Sequence, residues 1–395
     1  MQLYNRPGAI YLLISAAALF SAFTTHPKKI KTNPPAELKK PVAKPKIQAV
    51  ILLDVSNSMD GLIDQAKAQL WNMVNVMGKA KCENNAQPDI EIALYEYGRS
   101  SNPAAAGYVK QISSFTTDLD KLSKDLFGLS TNGGDEYCGQ VIFTSLKDLK
   151  WDNGPGNYKV IFIAGNEDFL QGNLPYTKAC TLAKNMGVIV NTIYCGNRAD
   201  GINEHWNLNA ECGTGSFTNI NQDEKVEDIP TPYDSVMFSL NEKLNSTYIA
   251  YGTAGKNKQH MQMEMDSKNY AMNKSVAAKR VAVKGQSNLY KNDSWDLVDK
   301  ATASPNEDIL KKLDKRELAD SLQNKSPEEL KTIIATKSKE RTSVQKEIAS
   351  VNTKREAFLT EAKRKNAETH NTATLETAME KIIKDQAKRF NMNIQ

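Results

Sequence analysis

Histidine is scarce in this chain: four residues in 395, His26, His205, His260 and His370. A hydrolytic triad needs a histidine base beside its nucleophile. His26 falls in a basic tether and His370 in the C-terminal tail. His205, within Asn203-Glu204-His205-Trp206-Asn207, reads as a loop-packing residue at one end of a sheet. Cysteine is sparse as well, and Cys82, Cys138, Cys180, Cys195 and Cys212 form neither a CxxC pair nor a zinc spacing. An arginine-rich patch with interleaved aromatics is missing, and a net charge of +5 is modest for this length. Both argue against a nucleic-acid partner. Gly133-Gly134 is not followed by the Lys-Ser/Thr of a phosphate loop. Asp135 and Glu136 are sequence neighbours, which suits a helix N-terminus better than a glycosidase, whose two acids flank a groove.

What is present begins with an uncharged run, Ala9 to Phe23, preceded by Arg6. About 15 apolar residues is the length of a signal-peptide core and short for a membrane-spanning helix. Residues 1–25 are therefore expected to be a signal peptide or N-terminal anchor, placing the protein in the periplasm or cell envelope. Any membrane contact would run through that segment alone, left uncleaved. Residues 26–46 are dominated by Lys and Pro and read as an extended, self-repelling linker. An oxidising compartment suits the five cysteines. Cys195 and Cys212 flank one long loop and are the candidate disulfide pair.

A folded α/β domain is expected over 47–247. Ile47 to Leu53 is a near-continuous apolar run, as in a parallel strand covered on both faces. Leu62, Ile63, Ala66, Leu70, Met73, Val74 and Met77 then recur at helical spacing. Further strands are predicted at Ile90 to Gly98, Tyr108 to Phe115, Lys159 to Gly165 and in Val188 to Gly196, with a short last one in Ser216 to Ile220. Helices are expected near Val141 to Leu149, over Pro175 to Met186 and over Asp234 to Asn245. Strands alternating with helices imply a Rossmann-like, mostly parallel sheet, whose ligands bind at the carboxyl ends of the strands.

Residues 248–303 read as an irregular connecting region. There Met261, Met263 and Met265 alternate, as in a strand with one apolar face; such thioethers suit soft metals, but packing is the simpler role. Residues 304–395 read as mainly α-helical. Ser304-Pro305-Asn306-Glu307 and Ser326-Pro327-Glu328-Glu329 each carry the pattern of a helix start. Leu330, Ile334, Val344, Ile348, Val351, Phe358 and Ala362 then fall on one heptad seam, interrupted by Lys337, Arg341 and Arg355. That seam suits a coiled coil and self-association, or a helical hairpin packed on the domain. A shorter helix, Leu375 to Phe390, follows.

The residues that carry chemistry are Asp54-Val55-Ser56-Asn57-Ser58, a D-x-S-x-S at the end of a buried strand and before an amphipathic helix. Hard divalent cations prefer oxygen ligands and keep several waters. One carboxylate and two hydroxyls on a tight loop supply part of such a shell, and an acidic side chain of a partner can complete it. This loop, the glycine-rich Thr131 to Gly139 segment, and the strands ending at Gly165 and Gly196 together resemble a von Willebrand factor type A (VWA) domain. The resemblance covers roughly Ile47 to Asn245. It implies a metal-ion-dependent adhesion site with Asp54, Ser56, Ser58 and Thr131 as ligands, Mg²⁺ or another divalent cation as cofactor, and a protein partner. One departure stands out. The family's later strand ends in Thr-Asp-Gly, whereas here it ends Ala164-Gly165-Asn166-Glu167, with glycine where the aspartate belongs. Asp135, Glu136, Asn166 and Glu167 are the candidates to assist in its place. The expected function is non-enzymatic protein binding outside the cytoplasm. The alternatives are a metal-free scaffold or assembly factor that binds through its helical tail, and an enzyme of unknown type.

Overall fold

The computed structural model describes residues 44–57, 59–82, 85–221, 229–305, 309–367 and 375–394. The apolar run of Ala9 to Phe23, most of the linker, Ser58, Asn306 and Glu307, and His370 lie outside them. Among the described residues, no helix is long and apolar enough to cross a membrane.

In chain order the elements are β1 (Lys46–Asp54), α1 (Asp60–Gly78), β2 (Ala80–Lys81), β3 (Asp89–Tyr97), β4 (Lys110–Thr116), α2 (Leu119–Phe127), α3 (Cys138–Asp148), β5 (Tyr158–Gly165), α4 (Tyr176–Met186), β6 (Ile189–Cys195), α5 (Arg198–Asn203), β7 (Phe217–Ile220) and α6 (Asp234–Asn245). Then follow α7 (Gly252–Met272), α8 (Lys274–Lys284), α9 (Leu297–Ala303), α10 (Ile309–Lys312), α11 (Asp320–Gln323), α12 (Pro327–Ala367), α13 (Leu375–Ala387) and β8 (Asn393–Ile394). The main sheet has six strands in the order β4-β3-β1-β5-β6-β7. Its strands are parallel except β4, which runs antiparallel to β3 at the edge. The mostly parallel, doubly wound sheet expected from the sequence is therefore present.

Its strands read as unbroken apolar runs because both faces are covered. One face packs Ile47, Ala49, Ile51 and Leu53 against α1, α2, α6, α8 and α13. The other packs Val50, Leu52, Ile161 and Ile163 against α3 and α4. Alternation along β6 decides the disulfide. Ile193 and Cys195 point into the first layer, whereas Tyr194 points into the second, where Cys180 and Cys212 also lie. The sheet thus separates Cys195 from Cys212, and the bond joins Cys180 of α4 to Cys212 instead. Cys82, Cys138 and Cys195 are free thiols.

The segment 248–303, expected to be irregular, holds helices α7, α8 and α9. Met261, Met263 and Met265 sit on α7 and not on a strand; Met265 is buried while Met263 is more than half exposed. What α7 buries is largely polar. Asn269 accepts from the Trp71 indole at 2.8 Å, and Gln262 donates to the Tyr290 hydroxyl at 3.0 Å. Asp266 binds Arg280 and Lys284, both on α8 and fully shut off from water, and Arg280 also pairs with Asp120 of α2. These cations hold the Asp266 carboxyl well below the usual carboxylate range against the opposing effect of its own burial.

The predicted start of α12 is reciprocal: Ser326 N–H donates to Glu329 Oε2 at 2.7 Å and Glu329 N–H to Ser326 Oγ at 3.1 Å. Leu330, Val344 and Ile348 are buried, but Phe358 is exposed and Leu359 takes its inward place. The seam faces α6, α8 and α9 of its own chain. Arg341 and Arg355, which interrupt the apolar pattern, are the two residues that fasten it. Arg341 reaches Asp296 at 2.6 Å, Asp299 at 2.5 Å and the Thr247 carbonyl at 2.8 Å, with its guanidinium over the Tyr248 ring. Arg355 is fully buried and donates to Asp234 at 2.8 Å and Ser275 at 3.0 Å. Beyond α12, Gln386 of α13 bonds Tyr158 and Asn191 of the sheet, and β8 pairs with β2. The C-terminal residues are thus part of the domain's core.

Candidate functional site at the carboxyl edge of the sheet

Parallel strands end together, so β1, β3, β5 and β6 deliver Asp54, Tyr97, Gly165 and Cys195 to one rim. Asp54 pairs in register with Tyr97, and Leu53 with Ala164, one residue short of Gly165. Asp54 is fully buried. Its Oδ1 accepts the Ser56 backbone N–H at 2.8 Å, which curls the loop back over the strand end. Its Oδ2 and the Ser56 hydroxyl are both shut off from solvent and have no hydrogen-bond partner of ordinary geometry among the described residues. Two buried oxygens left without partners are costly in a finished core. Burial raises the Asp54 carboxyl to about 6, opposed by the Ser56 backbone N–H, by the Ser56 hydroxyl close to it and by the Asn166 backbone, with Glu167 adding to the rise.

The glycine-rich loop lies over this turn. Asn132 N–H donates to the Val55 carbonyl at 2.9 Å, and Ser100 N–H to the Gly133 carbonyl at 2.6 Å. The Thr131 hydroxyl, carried on that loop, donates to Asp60 Oδ1 at 2.7 Å. Ser58 is outside the described residues. Asp135 faces solvent and accepts from the Tyr137 hydroxyl at 3.1 Å. Glu136 turns inward and is only 7% exposed. Burial, then the charges of Asp54, Glu167 and Asp135, raise its carboxyl to about 8. Glu167 is exposed, and its carbonyl accepts the indole N–H of fully buried Trp206 at 2.8 Å.

Sequence reasoning missed Tyr97. It is fully buried, and its hydroxyl donates to the Ala164 carbonyl at 2.9 Å and lies 3.8 Å from the Cys138 sulfur. A Cβ placed on Gly165 would sit 2.5 Å from that hydroxyl and 2.9 Å from Asp54 Oδ2. Gly165 is therefore enforced by a phenol from the neighbouring strand. The signal was legible only in pairing register, since Tyr97 is the last residue of its strand, as Asp54 is of β1.

His205 hydrogen-bonds Asp168 at 3.0 Å. Among the described residues, no three of His, Cys, Asp and Glu converge on a point that suits a metal. An ion at this rim would be held by a mixed set of acid, hydroxyl and water oxygens. Asp54 Oδ2 and Ser56 Oγ, buried and lacking partners, fit that set.

An antiparallel edge strand on an otherwise parallel sheet, with the D-x-S-x loop leaving the central strand, matches the architecture that the sequence resembled. The fold is of the VWA type. No family model matches the chain, and no curated protein does. Similar solved structures include the SpRpn10 VWA domain, at 16% identity over 44% of this chain and 88% of that one, with a TM-score of 0.32. Another is a von Willebrand factor type A protein from Catenulispora acidiphila, at 12% identity over 45% and 39%, TM-score 0.34. A third is proximal thread matrix protein 1 of the mussel byssus with a zinc-occupied MIDAS motif, at 11% identity over 46% and 43%, TM-score 0.32. The chain spans less than half the length of the last two.

Proposed function

We propose that this VWA-type chain is a non-enzymatic binding module of the extracytoplasmic space that takes up a divalent cation, Mg²⁺ or a similar hard ion, and through it a protein partner. Asp54, Ser56, Ser58 and Thr131 hold the ion in this reading, and an acidic side chain of the partner completes its shell. The observation that carries it is a pair of buried oxygens, Asp54 Oδ2 and Ser56 Oγ, that lie at the carboxyl edge of the sheet without a hydrogen bond of ordinary geometry among the described residues. A cation supplies what both lack. When bound, it also offers an electrophilic point for a partner's oxygen. Placement outside the cytoplasm is supported by the Cys180–Cys212 disulfide and by the apolar run of Ala9 to Phe23.

The test is a thermal melt of the full chain with and without millimolar Mg²⁺ or Mn²⁺. The ion raises the melting temperature of the wild type, by about 2.7 kcal/mol of stability at a hundredfold excess over Kd. Asp54→Ala removes that rise. A wild type indifferent to millimolar ion turns the reading to the metal-free scaffold.

A further inference from the structure

We propose that Glu136 is the second acidic donor of this cation site, filling the role that Gly165 leaves open at the end of β5. The inference rests on the reading above and concerns which residues do the holding.

Gly98 shows where the two acids meet. A Cβ built on it would lie 2.9 Å from Asp54 Oδ1 and 3.0 Å from the Glu136 Cγ. The Asp54 carboxylate and the stem of the Glu136 side chain thus both border Gly98, one from the end of β1 and one from the segment before α3. Gly98 sits at φ +80°, a left-handed turn that carries the chain past both. Gly134 fixes the approach of the other segment. Its own Cβ would lie 2.5 Å from the Gly98 carbonyl oxygen, so the two backbones touch.

The charge arrangement says what belongs between them. Asp54 is fully buried and Glu136 is 7% exposed, and the largest charge effects on Glu136 come from three acids, Asp54, Glu167 and Asp135. Buried carboxylates gathered without a cation are unfavourable unless something positive joins them. At the same rim, Asp54 Oδ2 and Ser56 Oγ are enclosed without a hydrogen bond of ordinary geometry among the described residues. The rival acids are placed less well. Asp135 is exposed and engaged by Tyr137, and Glu167 is exposed. A carboxylate at position 165 itself is shut out by Tyr97.

The experiment is calorimetric titration of the metal-free full chain with Mn²⁺ alone, for wild type, Glu136→Gln, Glu167→Gln and Asp135→Asn. Glu136→Gln weakens Mn²⁺ binding by at least about 10–100-fold, the scale set by groups that support a metal. The other two variants change it by no more than about fivefold, the scale of an exposed charge. A melt in chelator checks that Glu136→Gln folds. If it does not, Glu136→Asp takes its place and weakens binding while keeping the charge. If wild type binds Mn²⁺ and Glu136→Gln binds it equally, or if Glu167→Gln loses as much, this assignment falls and the binding reading stands. A wild type that takes up no Mn²⁺ overturns both.

Discussion

Replacing Asp54 by asparagine in metal-free protein should make the chain more stable. Asparagine keeps the shape and an oxygen to accept the Ser56 N–H, now 2.8 Å from Oδ1, but removes the charge. Burial lifts the Asp54 carboxyl from 3.8 to about 6. The folded chain therefore holds a proton over that window that the unfolded chain has released. Stability contributed by this group is intact below pH 4 and is lost as pH rises through 6, the opposite of an ion-paired carboxylate. A rise of about two units at 1.36 kcal/mol each amounts to about 3 kcal/mol at pH 8. At about 2 °C per kcal/mol for a chain of this size, that is about 6 °C in melting temperature. The assay is differential scanning calorimetry in chelator at pH 8 and pH 4, wild type against Asp54→Asn. The variant should melt higher at pH 8 and equal the wild type at pH 4. An Asp54→Asn variant that melts lower at pH 8, or gains equally at both pH values, refutes the claim that a buried charge is left unmatched here.

Two further outcomes test the rest of the chain. Arg355→Ala leaves Asp234 without its fully buried partner and should cost about 3–5 kcal/mol in denaturant unfolding; a loss under about 1 kcal/mol would mean that α12 is not fastened there. Cys180→Ser with Cys212→Ser opens a loop spanning 32 positions and should cost about 3–4 kcal/mol, and peptide mapping of the intact chain should recover Cys180 joined to Cys212, with Cys195 alkylatable only after unfolding.

The sheet was legible in the sequence because β1, β5 and β6 are buried on both faces and so read as continuous apolar runs. The DVSNS loop was legible because it follows such a run. Helix α7 was not, for a physical reason. It buries Gly255, Gln262, Met265 and Asn269, a mostly polar stripe satisfied by Trp71, Tyr290 and Arg280, so no apolar 3.6-residue period marks it. The role of α12 was misleading for the same reason. Arg341 and Arg355 look like breaks in a seam until Asp296 and Asp234 are seen opposite them. The cysteine pairing depends on which face of β6 a side chain takes, and loop position does not report that. At the site, Glu136 and Asp135 are alike as letters, and only the folded chain shows that Glu136 is buried while Asp135 faces solvent.

The phenol of Tyr97 makes the glycine beside it hard to undo. An engineer placing an aspartate at 165 would meet the phenol oxygen at 2.5 Å from the new Cβ. The hydroxyl must go first, and that step by itself discards its bond to the Ala164 carbonyl. Each single change is a loss, so the two arrangements of acid around this rim are separated by a valley that only a paired substitution crosses.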